Sequence, residues 1–191
     1  MNLTNAIIYM FMAIACSFGY YLINFYVKYL PGSIYTNQVV NSLAESGAHA
    51  ASVIVVTVLS VKRGFSTAFV ICMVACVMVI FAEMYNSSWM IPVSVLFAKA
   101  GISVAFCFLY FSTVNYFPSA YLGFVMGFCN VAGRSSTIAA PIIAEMRDPI
   151  PMMTTIVLCF LAFIGSLNLK QPEELKQSQN QADQKAVELD R

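Results

Sequence analysis

The chain has 191 residues, 60% of them hydrophobic and only 10% charged, with a formal net charge of +1. Soluble domains carry about 25% charged residues, so the composition excludes an ordinary soluble domain and is that of an integral membrane protein. A net charge so close to zero offers no footing for nucleic acid or for acidic partners.

A spanning helix needs about 20 mostly apolar residues, and the sequence predicts six such helices, at 6–29, 36–60, 66–84, 89–116, 119–143 and 152–169. The first ends at Lys28, whose stem can snorkel to the interface. It is too long, and lacks the basic flank, to be a cleavable signal peptide. Leu30–Ser33 (LPGS) breaks the chain before the second span. Lys62, Arg63 and Gly64 form a short basic loop before the third, and Tyr85–Ser88 (YNSS) another before the fourth. Glu145–Pro151 is the turn before the sixth. Residues 170–191 are a polar tail with nine of the nineteen charges, which cannot bury a core. No strand pattern competes, and spanning segments are helices or closed barrels. The expected fold is an all-α bundle of six transmembrane helices.

Six spans put both termini on one side, together with Lys62, Arg63 and Lys170, and leave Lys28 and Arg147 on the other. The positive-inside rule then places the termini in the cytosol. The sequon Asn86-Ser87-Ser88 falls outside, close to the membrane, with Tyr85 and Trp89 suited to an interfacial aromatic belt.

Three ionisable residues lie deep in the spans: Glu45, Lys99 and Arg134. An arginine at mid-membrane depth costs about 2.5–3.5 kcal/mol on the insertion scale, which makes such residues functional by default. In the second span Asn37, Asn41, Glu45 and His49 recur every fourth residue and Ser52 continues the stripe, so one helix face is polar. That face is either a seam of interhelical hydrogen bonds or the wall of a solute pathway, and the deep glutamate favours the wall. Glu83, at the end of its span, reads as interfacial. Phe106, Phe108, Tyr110 and Phe111 read as packing or lipid-facing residues. The fifth span is rich in small residues, and Gly123 and Gly127 form a GxxxG pair suited to close helix packing. Cys16, Cys72, Cys76, Cys107, Cys129 and Cys159 all lie in apolar runs and read as small hydrophobes, with neither a disulfide framework nor a zinc site expected. There is no Gly-rich phosphate loop, and one histidine supports no Ser/His/Asp or Cys/His constellation. The chain reads as a non-enzyme that needs no cofactor.

Three stretches, with a short fourth at the end of the last span, together resemble a known family. Gly32-Ser33-Ile34-Tyr35-Thr36-Asn37 followed by Glu45 is similar to the G-x-I-Y-x-N…E pattern in the eighth helix of organic-ion transporters. Lys99-Ala100-Gly101-Ile102-Ser103, running through Phe106 and Tyr110 to Phe117-Pro118-Ser119, is similar to their G-K-F-G-I-x…Y…E-L-F-P-T segment. Gly127–Arg134 with Ala140-Pro141 is similar to G-V-x-N-x-A-S-R-x-G-x-x-A-P in the eleventh helix, and Leu169–Glu174 is similar to the closing L-P-E-T. The chain thus resembles the organic cation, organic anion and carnitine transporters (solute carrier family 22) of the major facilitator superfamily. The resemblance runs almost to the tail.

That resemblance implies the C-terminal half of a twelve-span transporter, spans seven to twelve, working by alternating access around a site between the halves. The partner is then an N-terminal six-helix half or a second copy, besides membrane lipid, and the membrane is the plasma membrane. The solute is a small organic ion. Glu45, Lys99 and Arg134 line its site, with Asn41 as a neutral contact, and Lys62, Arg63 and Gly64 belong to the gating loop. In the resembled family the position of Arg134 tends to be acidic in cation carriers and arginine in anion and carnitine carriers, which points to an anion or zwitterion. The chain departs from the family pattern at Asn115, at Leu122 and in Val61–Phe65, where the family has residues of a cytosolic charge network that serves as a gate. Two other readings are a non-transporting interaction subunit that keeps the fold and a sugar-type facilitator, which would dispense with deep cations.

Overall fold

The structure, a computed structural model, describes residues 3–30, 33–85, 90–117, 119–147 and 149–169. The described residues are helical throughout, without strands: α1 (Leu3–Tyr26), α2 (Ile34–Val58), α3 (Val61–Met84), α4 (Met90–Tyr116), α5 (Ser119–Ser136), α6 (Ala140–Ala144) and α7 (Ile150–Leu167). Short connections make successive long helices run up and down. Four of the six predicted spans match α1, α2, α4 and α7 to within about three residues, as helix ends usually do. The tail, the sequon and Trp89 lie outside the described residues.

Two expectations about elements are corrected. First, α3 begins at Val61, so Lys62, Arg63 and Gly64 form its first turn rather than a loop. The Gly64 amide already bonds to the Ser60 carbonyl at 2.8 Å. Only Leu59 and Ser60 connect α2 to α3. Second, the fifth span is not one continuous helix. α5 stops at Ser136, a 3-10 turn covers Thr137–Ala139, and α6 follows. Pro141 has no N–H to give the Thr137 carbonyl, so the turn tightens and the Ala140 amide bonds there instead. Ser136 and Thr137 add hydroxyl donors to the carbonyls of Gly133 and Arg134, at 2.6 and 2.7 Å, which also favours a bend. Among the described residues, five helical segments are long and apolar enough to cross a membrane, Thr4–Tyr29, Ile34–Val56, Val61–Met84, Met90–Tyr116 and Ile150–Leu167; the broken α5–α6 segment is not among them.

α1 is the hub and packs against α4, α5, α6 and α7, while α3 packs on α4 and α7, and α2 lies mainly on α4. Lipid is as apolar as leucine, so helices associate through close packing of small residues rather than through hydrophobic burial. That rule is met at three glycines. A Cβ on Gly64 would enter the ring of Phe108, and one on Gly101 would come within 2.9 Å of the Cys72 backbone nitrogen, so both hold α3 against α4. One on Gly133 would come within 2.6 Å of Ser17 Oγ, holding α5 against α1. The GxxxG pair, by contrast, has no close neighbour among the described residues, where a Cβ on Gly123 or Gly127 meets open space, and α5 turns Val125, Cys129 and Gly133 inward instead. The cysteines are all free; Cys16, Cys72, Cys76 and Cys159 fill the core beside Phe65, Phe69 and Ile102. The outward faces of α3 and α7, with Val74, Phe81, Val157 and Phe160, are apolar, as contact with acyl chains requires.

Ion and hydroxyl contacts tie one end of the bundle. Lys28, just after α1, pairs with Glu145, just after α6, at 3.1 Å. Glu83 accepts the hydroxyl of Tyr26, so it links α3 to α1 besides lying near the end of its helix.

Candidate solute site

The polar stripe of α2 turns inward. Asn41 and Ser52 are buried, Glu45 and His49 are half-buried, and all four lie on the side of the helix that faces α1 and α4. Opposite them stand Tyr20 and Asn24, one turn apart on α1, and Lys99 on α4. Asn24 Oδ1 accepts two bonds, from Lys99 Nζ at 2.9 Å and from Asn41 Nδ2 at 3.1 Å. Glu45 accepts the Tyr20 hydroxyl and lies 3.5 Å from Lys99 Nζ through one oxygen and 3.5 Å from His49 Nε2 through the other. The Lys99 ammonium also sits 3.2 Å from the centre of the Tyr20 ring, where the negative face of the ring attracts a cation. Lys99 is completely buried, and a buried charge is tolerable only when paired and hydrogen-bonded. Here a carboxylate, an amide oxygen and an aromatic face share that task. The remaining acceptor of Asn41, Oδ1, is buried with no partner among the described residues.

Arg134 stands apart from this cluster. It is exposed on α5 and donates from Nη1 to the Tyr21 hydroxyl at 2.8 Å. Among the described residues it makes no ion pair, and the carboxylate of Glu45 is taken by Lys99 and His49 instead. The two groups are joined by aromatic rings. Tyr21 meets Tyr20 edge-on at 5.4 Å, Tyr20 meets Phe106 at 5.9 Å, and Phe106 meets Tyr110 at 5.2 Å. Tyr110 donates to Asn130 Oδ1 at 2.8 Å. Beside this run lies a shallow, open cleft lined by Ser17 of α1, Phe106 and Tyr110 of α4, and Met126 and Asn130 of α5.

Of the residues singled out by the sequence, Glu45, Lys99 and Asn41 therefore meet, and Arg134 joins them only through Tyr21 and Tyr20. Asn37 bonds to the Leu30 carbonyl at 3.4 Å and Ser52 to the His49 carbonyl at 2.6 Å, so both ends of the stripe serve the backbone. Phe108 is core and Phe111 is exposed, while Phe106 and Tyr110 face the cleft. Tyr20, Tyr21 and Asn24 were missed. The available signal was an amide inside the first apolar run, with a tyrosine four residues before it on the same face.

No protein-family model matches the chain. Among curated proteins it is similar to a "Solute carrier family 22 member 15-like" protein of Xenopus laevis, 29% identical over 178 residues, which covers 88% of this chain and 36% of the relative. A protein of the same description from Xenopus tropicalis is 28% identical over 178 residues, with the same shares covered. The chain thus spans about a third of the length of the curated relatives it matches. The five membrane-length apolar helices among its described residues and its likeness to these proteins mark a multi-pass membrane protein similar to solute carriers over most of its own length.

Proposed function

We propose that this chain forms one six-span half of a transporter for a small organic ion, with an anion or zwitterion as solute. The observation that carries the proposal is the state of Arg134. Its guanidinium is exposed and bound only to a neutral hydroxyl among the described residues, whereas Lys99 is offset by Glu45. The site therefore holds one uncompensated positive charge, on the residue type best shaped to take a carboxylate by two parallel hydrogen bonds. Tyr20, Tyr21, Phe106 and Tyr110 supply an apolar and aromatic wall beside it, and few convergent polar groups on such a wall are the usual make-up of a small-molecule site.

In this reading transport proceeds by alternating access, with an N-terminal six-helix half or a second copy closing the face that carries Arg134 and Tyr110. The termini lie on the cytosolic side of the plasma membrane, with Lys62 and Arg63 on that same side. One observation favours the rival reading of a non-transporting subunit: the polar face of α2 finds most of its partners inside this half. Uptake separates the two. Vesicles carrying the chain with its partner half, or the chain alone if it pairs with itself, should accumulate a labelled organic anion in competition with other anions and zwitterions. Organic cations and hexoses should not compete. No uptake under either condition, with the protein shown to be folded, would leave the interaction subunit as the better account.

A further inference from the structure

The sequence contains no Cys/His motif, yet the fold brings its one histidine to a cysteine 58 positions away. His49 Nδ1 on α2 lies 3.0 Å from Cys107 Sγ on α4. The other ring nitrogen, Nε2, faces Glu45 Oε1 at 3.5 Å. A carboxylate on that side favours the proton on Nε2, which leaves the lone pair of Nδ1 directed at the sulfur. Glu45 is itself held by Tyr20 and Lys99. The order is thiol, imidazole, carboxylate: a nucleophile, a base within reach of its proton, and a third group that orients the base. Access also singles out this sulfur. Of the six cysteines five are buried and Cys107 is half-buried, and the His49 side chain beside it is 43% exposed.

We propose that Cys107 is a modification site for soft electrophiles, of which an α,β-unsaturated carbonyl compound is the type. The sulfur adds to the β carbon, forming the S–C bond as the C=C π bond breaks. His49 Nδ1 takes the thiol proton, and that proton goes to the α carbon as the enolate is quenched. The addition consumes no oxidant, reductant or further reactant. The adduct then sits between α2 and α4 beside His49, which stands one helical turn from Glu45.

The test uses N-ethylmaleimide on the full chain in membranes, with mass spectrometry of each cysteine over time. In the wild-type chain Cys107 should be alkylated well ahead of Cys129, and Cys72 and Cys159 should stay unmodified. In His49→Gln the Cys107 rate should fall on the order of a hundredfold, the lower end of what a positioned base contributes, with Cys129 unchanged. Cys72 and Cys159 report the fold of the variant, since they become reactive only if the core opens; should that happen, the wild-type order of labelling decides alone. Cys107 reacting no faster than Cys129 in the wild-type chain, or at an unchanged rate in a folded His49→Gln, overturns the proposal.

Discussion

Lys99 and Glu45 form an ion pair at 3.5 Å in which the lysine is wholly buried and the glutamate keeps 19% of its side chain exposed. The pair joins α4 to α2, and through Tyr20 and Asn24 it reaches α1. Removing one member of a buried pair leaves the other charge uncompensated, at a cost of about 3–5 kcal/mol, whereas removing both is often close to neutral. Lys99→Met and Glu45→Gln should therefore each lower the thermal stability of the detergent-solubilised chain by an amount at the low end of that range, because Glu45 keeps some exposure. The double variant should recover most of the loss. Two losses that simply add would show that the charges do not depend on each other.

Arg134 should behave in the opposite way. It is exposed and leans on Tyr21 alone, so Arg134→Gln should leave expression and melting temperature near those of the parent. Affinity for a carboxylate solute should fall. Arg134→Lys keeps the charge but loses the fork, and a charge-assisted hydrogen bond is worth about 1.5–3 kcal/mol. Affinity should then drop roughly ten- to hundredfold, and Arg134→Asp should reduce it further. Competition uptake measures these affinities, and fluorescence-detected chromatography measures expression. Unchanged affinity together with collapsed expression would make Arg134 a structural residue.

The glycines divide by their neighbours. Gly101→Ala places a methyl against the backbone of Cys72 and Ala68, and Gly64→Ala drives one into the buried ring of Phe108. Overpacking of this kind costs about 1–3 kcal/mol, so both should lower the melting temperature. Gly123→Ala and Gly127→Ala meet open space and should not lower it in the isolated chain. A destabilised Gly127→Ala would mean that α5 packs on that face after all.

Orientation is open to a direct measurement. Tags placed before Thr4 and after Lys170 should be reached by antibody or protease only when the membrane is permeabilised. A tag between Met146 and Ile150, beside the Lys28–Glu145 pair, should be reached from outside in intact cells. Cleavage of either terminal tag by external protease would reverse the orientation or change the number of spans.

That the chain is all-helical, with long apolar helices, was legible in the sequence because the forces that set this are local. A bilayer demands about 20 apolar residues with every backbone group bonded inside the segment, and that demand is written in runs such as 6–29 and 89–116. The presence of deep polar groups was legible for the same reason, since Glu45, Lys99 and Arg134 stand out against their neighbours. Which of them meet was decided only by the tertiary structure. Glu45 had two cations to choose from, and the lie of α2 across α4 gave it Lys99 while Arg134 went to Tyr21. The pairing of His49 with Cys107 has the same origin. The glycines show why sequence falls short here. In water a helix turns its apolar stripe inward, so periodicity names the buried face. In lipid the face toward a neighbouring helix and the face toward acyl chains are both apolar, so nothing in the pattern distinguished Gly64, Gly101 and Gly133, which hold the bundle together, from Gly123 and Gly127, beside which a Cβ would meet open space among the described residues.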